Sequence, residues 1–275
     1  MTMVLTATPP RHRRFANVTP TGAIMIGVWV LVLAGILYAF YDSIDSERLT
    51  TYGGRILTGF GVTLKLVVVS LFFGAILSLP IAAGRLSKHR LIAGLTFGYT
   101  YFFRGTPLIA QIFLIYYGAG QFAPQLKAVG LWLFFRDAFN CAVLSFALNT
   151  AAYQAEILAG AIRTVPMGQR EAARALGLHA FNELRKVVLP QAFISALRPY
   201  GNEVILITKA SSIASIITVL DLMGQTRFVF SKTYDLSFYF WAAAFYLVSV
   251  EIFSRFVNAL ERRITRHLHM RQAPH

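Results

Sequence analysis

The sequence predicts an all-helical membrane protein that crosses the bilayer several times, and three observations carry that prediction. Of 275 residues 56% are apolar and only 14% charged, with a mean hydropathy of +0.57; a water-soluble chain of this length needs more polar surface. The apolar residues gather into runs long enough to cross a hydrocarbon core. The 26 Lys and Arg residues, against 12 acids, fall mostly between those runs. The charge of +14 therefore reports orientation in a membrane, and nucleic acid is not needed to explain it.

Residues 1–20 read as a basic cytoplasmic tail with Arg11, Arg13 and Arg14. Thr21–Tyr41 follows as 21 residues without a charge, about 31 Å of helix at about 1.5 Å per residue. A cleaved signal peptide is the competing reading, but its apolar core would be shorter, about 7–15 residues. An uncleaved transmembrane helix over 21–41 is expected.

Polar Asp42–Thr51 leads to a second run, Ile56–Gly84, with Lys65 near its start and the basic turn Arg85, Lys88, His89, Arg90 at its end. The third run, Leu91–Gly120, contains Arg104 and Pro107; 30 residues require tilt, a kink or extension beyond the bilayer. The fourth, Ala138–Ile162, carries one acid, Glu156. The fifth, Ala192–Leu220, is interrupted by Arg198-Pro199, Glu203 and Lys209, and the sixth, Leu236–Phe256, precedes a basic tail, 261–275. Six spans with the N-terminus inside place 16 cations on the cytoplasmic side and 6 outside. That asymmetry favours both termini in the cytoplasm.

The stretch 163–190 stands apart as the largest inward segment, charged and helix-forming. It reads as two short helices: Pro166 can open the first, with Ala172, Ala173 and Leu176 on one face and Gly177 as a left-handed closing residue. The second begins near Ala180 with His179 as cap, gathers Phe181, Leu184, Val187 and Val188 on one side, and ends before Pro190. An amphipathic loop lying on lipid headgroups is one account. Docking to a cytoplasmic partner is the other, and alanines with one glycine suit close backbone approach better than a lipid surface.

The spacing Glu171, Ala172, Ala173, then Gly177, then Val187, Leu189 and Pro190 resembles the EAA signature of permease subunits from ABC-type importers, with Val187 where the family usually has Ile. The words FRGTPLIAQIFLIYYG (103–118), LNTAAYQAEILAGAIRTVP (148–166) and GNEVILITKASS (201–212) are similar to its polar amino-acid branch, above all permeases of the histidine, arginine and opine type. The resemblance covers 55–260 and leaves 21–41 as an extra N-terminal helix. It implies a type I importer permease of the MetI-like fold, with 163–190 as the coupling segment seated in an ATPase subunit. Implied partners are two ABC ATPase subunits, a second permease subunit (the same chain or a paralogue), a periplasmic solute-binding protein, membrane lipid and a small amino acid. The solute favoured by the resemblance is arginine, histidine, ornithine, lysine or an opine, with glutamine-like and acidic solutes left open.

Nothing in the chain suits it to use ATP itself. There is no G-x-x-x-x-G-K-[ST] loop, and no glycine is followed by lysine. No HExxH, GxSxG or convincing carboxylate pair is found, so no catalytic residue, cofactor or metal is expected. Cys141 reads as a small buried residue, and His267, His269 and His275 as a solvated tail. Charges within a span cost about 2.5–3.5 kcal/mol each on insertion scales. Glu156 and Glu203 are therefore candidates for a solute path; alternatively, Glu156 pairs with Arg163 or Arg104, and Glu203 with Arg198 or Lys209, to lock helices. Arg104 and Lys209 are candidates for a solute carboxylate. Glu251 and Arg255, four apart, read as a structural pair. Two other functions remain compatible with the residues: an ion-gradient-driven secondary transporter using the two carboxylates, and a non-transporting membrane scaffold that recruits an enzyme through 163–190.

Overall fold

The computed structural model describes residues 19–42 and 46–269. Residues 1–18 and the histidine at 275 lie outside the described residues. Two units are distinguished, 1–49 and 50–275. In the first, α1 (Pro20–Asp42) is apolar throughout and its described side chains are almost all exposed.

The second unit is built from α2 (Ser46–Arg85) from Thr50 onward, α3 (Arg90–Gly105), α4 (Leu108–Gln121), two short helices α5 (Ala123–Ala128) and α6 (Trp132–Phe135), α7 (Ala138–Arg163), α8 (Met167–Ala175), α9 (Ala180–Glu183), α10 (Leu189–Ala210), α11 (Leu222–Thr233) and α12 (Ser237–His269). Among the described residues no strand occurs. Thr50–Arg85 and Ser237–Thr265 are each long and apolar enough to cross a membrane, and Leu108–Gln121 is a shorter apolar helix. The chain over Ala180–Ile217 and the helix Leu222–Thr233 meet at a bend of 48°.

On parts of the surface, burial departs from that of a soluble protein. On α2, Thr63, Ser70 and Ser78 are buried while Val68, Phe72, Ile76 and Leu79 are exposed. Small and polar residues let helices approach, and large apolar ones face hydrocarbon. At Gly74 the approach to α7 is so close that a Cβ would lie 2.4 Å from Thr150 Cγ2. α7 is the buried axis, inward along most of its length, and Asp137 starts it by accepting from the amides of Phe139 and Asn140.

Three apolar clusters hold the unit. One joins α2, α4, α7 and the end of α10 through Leu66, Ile112, Phe146, Ile207 and Ile217. A second joins Ala82 of α2, Leu158 and Ile162 of α7, and Val188 and Ala192 at the start of α10. The third joins α2, α11 and α12 through Ile56, Leu222, Val229 and Phe238.

The helices depart from the sequence reading in several places. Helix α2 begins at Ser46, ahead of the expected apolar run. Residues 221–235, expected as an outer connection, contain α11, because buried Asp221 accepts from the Gly224 amide and caps it. Arg198-Pro199 does not break α10, which passes through Pro199 and tightens into a 3₁₀ turn only at Ser211–Ile217. The basic segment after 261 continues α12 to His269.

Candidate functional site

The long third run is divided at Thr106-Pro107, between α3 and α4. Proline lacks the amide proton that would reach back four residues to the Phe103 carbonyl. In a membrane that carbonyl cannot turn to water. Asn149 Nδ2 donates to it at 2.8 Å and Gln111 Nε2 at 2.9 Å. Gln111 also donates to the Thr106 carbonyl and hydroxyl, at 3.1 and 2.8 Å, and accepts from Asn149 at 3.0 Å. Two buried amides thus stabilise the break.

Beside the break lies a cavity of about 320 Å³, walled by Thr106, Asn149, Tyr153, Glu203 and Leu206 among others. Glu203 is only 5% exposed. Neither cation expected for it is its partner: Thr150 Oγ1 donates to it at 2.6 Å, while Arg198 turns to Glu261 of α12 at 2.6 Å and Lys209 is exposed. At about 100° per residue, Arg198, five positions before Glu203, and Lys209, six beyond it, fall on other sides of α10.

A second cavity, about 470 Å³, is walled by Arg104, Tyr153, Glu156, Thr164 and Ser195 among others. Tyr153 lines both cavities, and the Arg104 guanidinium lies over its ring, 5.2 Å from the centroid. Glu156 is bonded neither to Arg163 nor to Arg104. It pairs with Arg85, the last residue of α2, and accepts from Thr100 at 3.1 Å. Arg163 instead donates to the Arg85 carbonyl at 2.9 Å. The structure therefore brings Arg104, Glu156 and Glu203 to two adjoining cavities and leaves Lys209 apart. The supporting residues, Asn149, Thr150, Tyr153 and Arg85, were not singled out from sequence; the amide and hydroxyl spacing along 149–154 was the signal available.

The segment 163–190 lies at the other candidate site. Its first helix starts at Met167, one residue after Pro166. Gly177 closes it with φ +76°: its amide donates to Arg174 O at 2.9 Å, and the Leu178 amide to Ala173 O at 3.1 Å. These two bonds are a Schellman closure, which needs the left-handed residue. The Ala172, Ala173 and Leu176 face is split, for Ala173 is buried while Ala172 and Leu176, 83% exposed, are not. His179 caps α9 weakly, its Nδ1 accepting from the Phe181 amide at 3.4 Å.

Pro190 does not stop the second helix. Residues Leu184–Val188 widen into a π turn, with the Leu189 amide bonding the Leu184 carbonyl, and Pro190 sits in the first turn of α10. A wider turn relieves the clash and the missing donor that proline imposes. It also separates the expected apolar face, leaving Phe181 and Leu184 exposed and Val188 buried. Across the two short helices Arg174 and Glu183 pair, at 2.8 and 3.4 Å. That bond is the chief reason the Glu183 carboxyl sits below its usual range. Glu171 is exposed, Val187 and Leu189 are half-buried, and Leu189 packs on the second cluster. The segment is thus an exposed elbow whose two roots, Val165 and Val188, share one buried cluster with α2 and α7.

An all-helical fold with cavities among its helices and an exposed elbow is the type I importer permease fold of the MetI-like kind. The family described as binding-protein-dependent transport system inner membrane component matches residues 70–266, and the chain belongs to it. It is 44% identical over 218 residues to the nopaline transport system permease protein NocM of Agrobacterium fabrum, covering 79% of this chain and 90% of that one. To the histidine/lysine/arginine/ornithine transport system permease protein HisM of Salmonella typhimurium it is 41% identical over 214 residues, covering 77% and 90%. A crystal structure of an amino acid ABC transporter with histidines superposes with a TM-score of 0.70 at 35% identity, covering 80% of this chain and 99% of that one. The inward-facing MetNI methionine ABC transporter shares the fold, with a TM-score of 0.64 at 19% identity over 80% and all of the respective chains.

Proposed function

We propose that this chain is the permease subunit of an ATP-driven importer that moves a basic amino acid or opine across the bacterial inner membrane. The observation that carries this is the cavity bearing both Glu156 and Arg104 beside the cavity bearing Glu203. One base and two acids suit a zwitterion with a cationic side chain: Arg104 takes its carboxylate and the glutamates its positive groups. The relatives named above, permeases of transport systems for nopaline and for histidine, lysine, arginine and ornithine, support the same solute class.

ATP hydrolysis belongs to two separate ATPase subunits. The elbow 163–190, with Glu171, Ala172, Ala173, Gly177, Val187, Leu189 and Pro190, docks to them as the coupling segment. Its exposed Met167, Leu176, Phe181 and Leu184 supply apolar contacts, and its shared root cluster passes the movement to α2, α7 and α10. A second permease subunit completes the pathway, and a periplasmic solute-binding protein delivers the solute. Six spans, with both termini and the elbow cytoplasmic, satisfy the charge asymmetry.

Proteoliposomes holding this chain with its ATPase and binding protein test the reading. Uptake of radiolabelled L-arginine, L-lysine, L-histidine, L-ornithine or octopine is expected only with ATP and the binding protein. Uptake that follows an ion gradient without them assigns a secondary transporter, and partner binding without any flux assigns a scaffold.

A further inference from the structure

The carboxylate of Glu156 stands between two surroundings. From one side Oε1 is bonded by Arg85 and by Thr100 Oγ1. On the other side Glu156 forms part of the wall of the cavity that holds Arg104 and Tyr153. The pair is mostly removed from solvent, its side chains 17% and 19% exposed. The Arg85 guanidinium also lies over Phe97, 5.1 Å from the ring centroid.

Arg85 is tied to the elbow as well. Its carbonyl accepts from Arg163 Nη2 at 2.9 Å, and Arg163 is the last residue of α7, where the elbow begins. Arg170 of α8 reaches back to the neighbouring Ile162 carbonyl at 2.6 Å. One residue therefore links the cavity wall to the elbow: the Arg85 guanidinium meets Glu156 and the Arg85 main-chain carbonyl meets Arg163.

A guanidinium or ammonium entering the cavity meets a carboxylate already holding a cation. Two cations on one carboxylate repel each other, and the attraction each feels falls as the other approaches. We propose that Arg85 is a tethered counter-ion which a cationic solute displaces from Glu156, and that its release loosens the Arg85–Arg163 contact and reports cavity occupancy to the elbow. Arg85 is thus a positioning residue for coupling. The inference rests on the transport reading given above and adds how that site is sensed.

The test uses the complete assembly of this chain, its ATPase and its binding protein in nanodiscs. L-arginine, L-lysine, L-histidine, L-ornithine and octopine are added in turn. With the stimulating solute identified on the wild type, Arg85→Gln is expected to raise ATP hydrolysis without solute at least about fivefold, the low end of ordinary couplings, and to lose the response to solute. Arg85→Lys keeps a cation opposite Glu156 and is expected to restore a low basal rate and a response. In the wild type, hydrogen exchange of amides 85–90 is expected to quicken when that solute is added; this measurement decides the matter if Arg85→Gln does not assemble. Unchanged basal and stimulated rates in an assembled Arg85→Gln complex, an Arg85→Lys complex as deregulated as Arg85→Gln, or unaltered exchange at 85–90 overturns the proposal. A wild type that imports none of these solutes with ATP overturns the transport reading itself, which separates the two failures.

Discussion

Asn149 donates its Nδ2 to the carbonyl of Phe103 at 2.8 Å, and Phe103 lies four residues before Pro107. One α7 side chain thus fills the bond that a proline in a different helix removes. The same amide reaches Gln111 at 3.0 Å, so helices α3, α4 and α7 meet at one buried polar knot.

Asn149→Leu is therefore expected to destabilise the protein by about 1–2 kcal/mol. Single polar contacts between membrane helices average about 0.6 kcal/mol with a maximum of about 1.7, and this change leaves the Gln111 oxygen without its donor and the Phe103 carbonyl with Gln111 alone. Equilibrium unfolding of the reconstituted permease measures it. A loss within about 0.3 kcal/mol of zero would show the break to be held by Gln111 alone.

Gly177→Val is expected to leave membrane insertion intact and to cut ATP-driven uptake. The left-handed backbone at φ +76° costs an ordinary residue about 1–2 kcal/mol, and a β-branched one at the upper end or beyond. No neighbouring atom lies within 4 Å of a Cβ placed there, so the fault is local to the turn. Uptake at the wild-type rate by a correctly inserted variant contradicts the coupling role given to the elbow.

The Arg174–Glu183 pair makes the elbow sensitive to acid. Hydrogen bonding and attraction from Arg174 hold the Glu183 carboxyl below its unfolded value, so the pair stabilises the folded state above that value, about 4.3. Its contribution is lost as pH falls through the lowered folded value. A spin label at Leu178 is expected to become more mobile below about pH 4 and not between pH 5 and 8. Glu183→Gln should show the mobile signal at every pH; a label that ignores both changes rules the pair out as a brace.

Glu203→Gln keeps an oxygen for Thr150 and removes the buried charge facing the first cavity. A hydrogen bond to a charged group contributes about 1.5–3 kcal/mol, so KM for a cationic solute is expected to rise by about tenfold or more. An unchanged KM, measured in proteoliposomes, would leave Glu203 a packing residue.

Much of the helical fold was readable along the chain, and among the described residues Thr50–Arg85 and Ser237–Thr265 announce themselves as spans by length and hydropathy. The division of Leu91–Gly120 at Pro107 follows from a missing amide proton, and the left-handed Gly177 from a helix that had to end. Pro190 was misread for an equally local reason, since a proline can be accommodated by a wider π turn when the packing of Val188 and Ala192 keeps the helix going. The pair Glu251 and Arg255 was legible, at 2.6 Å, because both partners lie on one helix.

The partners of Glu156 and Glu203 were beyond such reading. Glu156 meets Arg85, 71 positions earlier, and Glu203 meets Thr150, 53 positions earlier. Sequence alone determined that these charges sit among apolar residues and need relief from hydrocarbon. Which groups relieve them was decided only when α2, α7 and α10 packed together, because helix rotation and crossing select one neighbour from many chemically equivalent ones.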